Sequence, residues 1–585
     1  MIVTAGTQKT RWIVQPAESR ADDLARSLRI SPLVAQVLLN RGLDSSDSAN
    51  AFLRPKLAGL IRPELMPGMP AAVARIRQAI DRKERITVYG DYDVDGITGV
   101  SILLSLLTHL GVQVDYYIPH RIDEGYGLND EAIRSLAAGG TRLLVTVDCG
   151  IGAPGSVDLA GQLGMDVIVT DHHQPDAVLP KAVAIVHPAL PGTPAYANPD
   201  SAGAMVAFKL AWAIANSLSS GPRLGGDLRQ FMLDATSLAA VGTVADVVDL
   251  CGENRVLTHY GLKALPQSGL CGVQALIECA GLTGQGLDSY DVGFKLGPML
   301  NAAGRMGHAR LAVELLTGTS PLRCGQIAEY LKEQNTLRQQ CGLKIFKEAC
   351  QVIVSQGLNH PDRRSIVLAG ENWHRGVLGI VAARIVDRFH RPAIVVNLAD
   401  GPQGTAQGSG RSIPGFCLLS AIRACSGHLL AFGGHTMAAG LTIDAGKVTA
   451  FTEDFETYAC GNLKDEDVAA KLCIDAVSSL RQFTPDLVRQ LQMLGPFGQG
   501  NRSPVFATRG VRWISPPRRV GAKEDHLQVA VTDNTGSIRC VGFNMGRLEK
   551  RLLEVDSFNI AYQAQLNTYN GNTSVEFVLQ DVQFE

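Results

Sequence analysis

The seven residues GDYDVDG at 90–96 constrain this chain more than any other stretch, because three aspartates alternate immediately after a β-branched run, ITVY. In an extended segment alternate side chains point the same way, so Asp91, Asp93 and Asp95 are expected on one face. Two carboxylates held about 4 Å apart repel by ~4 kcal/mol at the effective dielectric near a protein surface. Such a trio has to be protonated, spread into water or neutralised by a cation.

The pattern of an acid closing an apolar run recurs. LLVTVDCG ends on Asp148, VIVTDHH on Asp171, His172 and His173, and AAVGTVADVVDL carries Asp246 behind a small-residue stretch. ITVYG, LLVTVD, VIVTD and VAIVHP are nearly continuous apolar runs, the signature of buried parallel strands. A helix over 98–110, stopped by Gly111, falls between the first two acid-bearing segments. Acids at several strand ends meet at the open edge of a parallel sheet, where α/β proteins form their sites. Singly, each aspartate suits a helix cap or a solvated loop; together they point to a metal centre. Oxygen-rich donors with one or two imidazoles suit Mn²⁺, or Mg²⁺, better than zinc. Two such ions, about 3.5 to 4 Å apart, stabilise the attacking and leaving oxygens of a phosphoryl displacement. The expectation is a metal-dependent hydrolase of phosphodiester bonds. A calcium loop of the EF-hand type begins alike, but it needs a glutamate at its twelfth position, where this chain has Ile102.

A chain of 585 residues exceeds what one core supports, so several domains are expected. The spacing predicts an N-terminal helical extension over 1–60, an α/β catalytic domain over 61–315, a connecting helix over 316–352, a second α/β domain over 353–460, and an all-β barrel over 471–585. In the second α/β domain SIVLAG and PAIVVN read as strands, GVLGIVAARIVDRF as the helix between them, and GTAQGSGRS and AFGGHTMAAG as glycine-rich loops. Beyond 471, short alternating runs separated by DNTG and NGN read as a small antiparallel barrel. A net charge of -2 excludes a uniformly basic coat but not a local basic groove. Without a signal-like start or a long apolar run the protein is expected in the cytoplasm, with no membrane partner. Twelve cysteines with no CxxC pair suit reduced, mostly buried thiols.

Three glycine-rich segments suggest where a phosphate chain would lie. GSGRS offers Ser409, Arg411 and Ser412, NAAGRMG offers Arg305, and AFGGHTMAAG offers His435; tight turns explain the same glycines. Between 502 and 523 lie Arg502, Arg509, Arg512, Arg518 and Arg519, interleaved with Phe506 and Trp513 and free of acids. Single strands are held by such cationic tracks and aromatic faces, although a solvated basic face over core aromatics has the same composition. No GxxxxGK[ST] loop is present, so no ATP use is expected.

GDYDVDG, VTVDCG, TDHH, GTVADVVDL, NAAGRMG, ENWHRGVLGIVAARI, GSGRS, GGHTMAAG and GPFGQGN, in that order from about Ile86 to the C-terminus, resemble the DHH phosphoesterase superfamily and, within it, the bacterial exonucleases specific for single-stranded DNA. The resemblance implies a DHH lobe, a long helix, a DHHA1 lobe and a C-terminal OB-like domain. It implies 5′ to 3′ removal of nucleotides from single-stranded DNA with Mn²⁺ or Mg²⁺, two ions in all, by a monomer acting in DNA repair and recombination. Single-strand-binding protein and a helicase are the partners it suggests. Asp91, Asp93, Asp95, Asp148, His172 and Asp246 would be metal ligands or their neighbours, and Asp93, Asp95, His173 and Asp246 the catalytic set. Arg305, Ser409, Arg411 and Ser412 would hold a terminal 5′ phosphate, His435 would contact the scissile region, and Trp373 and His374 would line the strand path. Arg502, Arg512, Trp513, Arg518 and Arg519 would serve the barrel's nucleic-acid face. The chain departs from small-substrate members at Tyr89, where they carry histidine, and has His308 where many relatives carry an acid. Two alternatives stay open: a phosphatase or nanoRNase acting on short oligonucleotides, and a non-catalytic DNA-binding scaffold.

Overall fold

The computed structural model describes residues 10–584, apart from 121–123, 220, 222–223, 306–307, 399–403 and 570. It divides into two units, one built from Trp12–Asn301, Ala309–Glu329 and Cys473–Glu585, the other chiefly from Tyr330–Leu472 together with Ala302–His308. The helix Pro321–Ser355 contributes to both.

In the larger unit five parallel strands run in the order Val114–Tyr117, Ile86–Gly90, Leu143–Val147, Asp166–Thr170, Ala184–Val186. The apolar runs are buried along their whole length at Ile86–Gly90 and Leu143–Val147. The strand order reverses between those two strands. A crevice opens at such a switch point, and it is flanked here by the residues that follow each strand, Asp91 and Asp148. The edge strand Val114–Tyr117 has no continuous apolar run, and its half-exposed pattern hides it from a reading based on hydrophobicity.

The helix after the first strand begins at Val94 and not at Thr98. Asp93 is its N-cap, its carboxylate accepting from the amides of Asp95 (3.0 Å) and Gly96 (3.1 Å). The aspartate triplet therefore does not run on as a strand with one acidic face. Asp91 lies in the turn, Asp93 caps the helix, and Asp95 sits in the first turn.

Thr405–Arg411 and the pair Leu429–Gly434 and Ala438–Asp444 are strands of the smaller unit, where glycine content suggests loops. They extend a sheet ordered Leu429–Gly434, Ala438–Asp444, Thr405–Arg411, Ala393–Asn397, Ile366–Gly370. The glycines answer close packing: a Cβ on Gly408 would lie 3.0 Å from Leu441, and one on Gly410 3.0 Å from both Ile394 and Leu418. NAAGRMG is likewise no turn in its first part, since Asn301 to Arg305 end the helix Gly297–Arg305; residues 306–307 lie outside those described.

The C-terminal strands close into a ring because Phe506–Val520 pairs with both His526–Thr532 and Phe558–Tyr569. The barrel is not wholly antiparallel. The chain crosses from Ser537–Gly542 through the helix Glu549–Leu553 to close the ring, so the returning strand Asn572–Phe584 runs parallel to Ser537–Gly542. The N-terminal helices Ala21–Leu28, Pro32–Asn40 and Ser46–Leu53 share one apolar core with this barrel, through Leu38, Leu487, Phe506, Tyr562 and Phe577 among others. All twelve cysteines are free, but only four of them are buried, fewer than the sequence suggests. No described helix is long and apolar enough to cross a membrane.

Candidate active site

Three elements bring acids and imidazoles to the switch point. Asp148 follows its strand in a left-handed conformation (φ 61°), unfavourable for a side chain with a Cβ. Its amide is held by the Thr170 carbonyl at 3.0 Å, and its carbonyl accepts from the Tyr126 hydroxyl at 3.1 Å. The strand Asp166–Thr170 delivers Asp171, His172 and His173. Asp246 is the C-cap residue of the helix Gly226–Ala245.

The side chains meet in three overlapping clusters, each with ligand atoms within 4.8 Å of one another: Asp91, Asp93 and Asp148; Asp95, His172 and Asp246; Asp148, His172 and His173. His172 Nε2 stands 3.1 Å from Asp148 Oδ1, 3.6 Å from Asp246 Oδ2 and 3.8 Å from Asp95 Oδ2. His172 Nε2 and Asp148 Oδ1 are both buried, yet neither makes a hydrogen bond among the described residues. A buried polar atom in that state costs about 1–3 kcal/mol, and a divalent cation satisfies both at once. The donor set of carboxylate oxygens and imidazole nitrogen fits manganese, and magnesium less closely.

Electrostatics agree. Burial, followed by repulsion from Asp93, raises the Asp95 carboxyl to about 7. Burial and the neighbouring Asp95 and Asp93 raise Asp246 to about 9, and burial with the same neighbours holds Asp148 well above the ordinary range. Burial and the adjacent His173 push His172 down to about 3, so its nitrogen is a neutral donor. Asp171 behaves differently. Burial opposes its charge, but the His173 ring and the amides of Ile151 and His173 outweigh this and lower its pKa. Its Oδ1 accepts from the His172 and His173 amides at 2.8 and 3.1 Å and pairs with His173 Nδ1 at 2.8 Å. Burial disfavours the His173 cation, but that bond prevails and raises its pKa.

Asp95 has a second task. Its two oxygens accept from the amides of Gly203 (2.5 Å) and Ala204 (2.9 Å), at the start of the helix Gly203–Leu218. Only glycine fits where the helices cross, since a Cβ on Gly242 would lie 2.8 Å from Asp95 Oδ1 and one on Gly203 2.7 Å from Asp148 Oδ1. Gly203, Ala204 and Tyr126 give no sign in the sequence. Asp171, a strand-end acid, does, but its role as an acceptor for backbone amides is set by the loop it closes. Tyr89 is buried, stacks on Tyr117 at 5.1 Å and donates to the Gly127 carbonyl at 3.0 Å, so it takes no part in the cluster.

In the smaller unit Ser409 and Arg411 project from one face of their strand, 3.4 Å apart. A Cβ on Gly379, in the first turn of the helix Leu378–Phe389, would lie 2.8 Å from Arg411 Nη2 and 3.0 Å from Ser409 Oγ. Arg305 donates to the Gly376 carbonyl at 2.9 Å. Two guanidinium groups and a hydroxyl beside a helix N-terminus are a donor set chemically suited to a phosphate. His374 caps that helical lead, accepting from the Gly376 amide at 3.1 Å, and His435 is exposed in the hairpin turn.

Four expectations are corrected. Trp373 is only 5% exposed, packed in the core with its indole N–H on Glu348 at 3.0 Å, so it offers no face to a strand. Ser412 is buried and donates to the Phe416 carbonyl at 2.7 Å, so its hydroxyl is engaged within the fold. Trp513 packs against the barrel core and donates to the Leu552 carbonyl at 3.1 Å, while Phe506 lies wholly inside. All five arginines are exposed, but Arg502 is paired with Asp475 and Arg519 with Glu549, both at 2.9 Å, so part of the basic stretch is already balanced by acids. His308 stacks edge-on against Tyr330.

A parallel sheet with acids and imidazoles at its switch point, followed by a second mixed-sheet lobe, defines a DHH-type phosphoesterase. The DHH family N-terminal domain model matches 85–240 and the DHHA1 domain model 362–459. The RecJ OB domain model matches 474–581, and the chain belongs to the RecJ family. It is 39% identical to the single-stranded-DNA-specific exonuclease RecJ of Bacillus subtilis, over 98% of this chain and 71% of that one. With the RecJ of Escherichia coli it shares 33% identity over 94% and 96% of the two chains. The crystal structure of RecJ from Thermus thermophilus in complex with Mn²⁺ superposes with a TM-score of 0.83 at 30% identity, covering 99% of this chain and 80% of that one; the same protein has been solved with Mg²⁺.

Proposed function

We propose that this protein is an exonuclease specific for single-stranded DNA, hydrolysing phosphodiester bonds in the 5′ to 3′ direction during DNA repair and recombination, with two Mn²⁺ or Mg²⁺ ions. The observation that carries the reading is the meeting of Asp91, Asp93, Asp95, Asp148, His172 and Asp246 around Asp148 Oδ1 and His172 Nε2, buried atoms that make no hydrogen bond among the described residues. Relatives named as single-stranded-DNA-specific exonucleases support the substrate.

Asp91, Asp93 and Asp148 would hold one ion, and Asp95, His172 and Asp246 the other. Bound there, the ions make water nucleophilic at neutral pH and offset charge on the attacked phosphate. Asp95, fixed by the two helix amides, orients its cluster. Asp171 holds the His173 ring through its Nδ1 at 2.8 Å, so His173 would be positioned to help orient the site beside the cluster. Arg305, Ser409 and Arg411 would take the terminal 5′ phosphate, which is what polarity requires of a residue set. The exposed arginines Arg509, Arg512 and Arg518 would steer the strand by its phosphates. A monomer, met by single-strand-binding protein and a helicase, completes the proposal.

The test is a manganese-dependent digestion of 5′-phosphorylated and 3′-blocked oligonucleotides, single- and double-stranded, read by end-label release. Mononucleotides are expected from the 5′ end of single strands. Release from the 3′ end, or equal digestion of duplex, would overturn the reading.

A further inference from the structure

Tyr290 and Phe294 are the two most exposed aromatic side chains among the described residues, at 60% and 68%, and they stack on each other with ring centroids 4.6 Å apart. Their helical segment is firmly held. Asp288 and Asp291 form a capping box at its start, Lys295 pairs with Asp291 at 2.7 Å, and the Ser289 hydroxyl donates to the Phe497 carbonyl. A π-helical turn, Val292–Leu296, lies between this start and the helix that follows, a departure from α geometry that recurs at functional sites.

The pair also has a telling position. A Cβ on Gly293 would touch Val244 at 3.9 Å, and one on Gly297 would touch Ala245 at 3.8 Å. Those two residues end the helix whose C-cap is Asp246. The next residue, Val247, is 61% exposed in a left-handed conformation (φ 64°). The exposed pair is thus carried on a segment packed against the end of the helix that delivers Asp246. Large exposed apolar patches on otherwise polar surfaces mark binding sites.

We infer that the Tyr290–Phe294 stack is a nucleobase platform that seats a base of the DNA strand next to the phosphodiester being hydrolysed. The inference rests on the proposed nuclease reading and adds to it a determinant of strandedness. Each ring keeps an outer face, and any unpaired base stacks on such a face whatever its sequence. In a duplex every base is held by its pair and all but the terminal ones have both faces occupied by neighbours, so the platform favours single strands.

The test compares wild type with Tyr290→Leu, Phe294→Leu and the double variant; leucine keeps the apolar bulk and the helix propensity but removes the ring. KM is measured with Mn²⁺ on a 5′-phosphorylated oligothymidylate and on the same strand carrying abasic sugars near its 5′ end. Wild type should favour the base-bearing strand by about tenfold or more, the size of one lost base–aromatic stack. The double variant should favour it by little, and Phe294→Trp in the Tyr290→Leu background should restore the preference. A preference that survives in the double variant, or a KM rise equal on both strands, would sink the platform while leaving the nuclease intact. Failure of wild type to cut either strand would instead sink the nuclease reading and the platform with it.

Discussion

Asp95 combines two roles in one carboxylate: it caps the helix Gly203–Leu218 through two amides, and it completes a cluster with His172 and Asp246. Asparagine at this position keeps the shape but turns an N–H₂ toward an amide donor and removes the charge. Asp95→Asn is expected to lower kcat by about a thousandfold, since a bound metal supplies several kcal/mol of transition-state stabilisation. The mispaired amide should also cost about 1–3 kcal/mol in a urea melt run without metal; near-wild-type turnover would remove Asp95 from the proposed site. Tyr126 is subtler. Its hydroxyl donates to the Asp148 carbonyl and lies 3.1 Å from His173 Nδ1, so it steadies two residues without offering a ligand of its own. Tyr126→Phe should slow kcat by roughly fivefold to tenfold, the worth of about one hydrogen bond, with KM for DNA little changed. A rise in KM alone would instead make the tyrosine a strand contact.

The helix Gly226–Ala245 shows how an element positions a site through what it lacks. A Cβ on Gly242 would sit 2.5 Å from both Thr98 Oγ1 and Ala204 Cβ. Gly242→Ala gains about 1 kcal/mol of helix propensity, but overpacking between three buried helices costs about 1–3 kcal/mol and pushes against Asp95. The urea midpoint should fall slightly and manganese affinity by tenfold or more; unchanged manganese binding would show that the crossing tolerates the methyl. Buried strands such as Leu143–Val147 are legible because they are apolar along their whole length, and so are the acids that close them. The course of the chain after a strand is less legible. GDYDVDG reads equally as extended chain or as a cap and first turn, and only the amides of Asp95 and Gly96, bonded to Asp93, decide between them. GSGRS reads as a loop because glycine ordinarily marks turns, whereas Gly408 and Gly410 admit Leu441, Ile394 and Leu418 against a strand. Trp373, placed on the strand path by the resemblance alone, illustrates the same limit, since the core that buries it is not visible in the sequence.

Across the larger unit, the acid cluster is a liability that its cation turns into stability. Asp95 and Asp246 have folded-state values of about 7 and about 9, against about 4 in an unfolded chain. A group raised in this way stabilises the fold fully below its unfolded value, and that contribution is lost as pH climbs through the folded one. Asp148 and His173, both raised, act in the same sense. His172, lowered to about 3, acts oppositely, but only up to the ordinary histidine value near 6.5. Metal-free protein should therefore lose Tm between about pH 6.5 and 8.5, as the cluster becomes charged without a counter-ion. A bound divalent ion favours the deprotonated carboxylates and binds only the folded arrangement, so it stabilises by mass action. The Tm gain on replacing EDTA with excess Mg²⁺ should grow over the same interval, and in Asp95→Asn it should be smaller and flatter with pH. Calorimetry or dye-monitored melting at matched ionic strength checks this. A gain that is constant or shrinks toward the alkaline end of that interval would mean that protons and metal do not compete for these carboxylates, and the assignment of the cluster as the metal centre would fail with it.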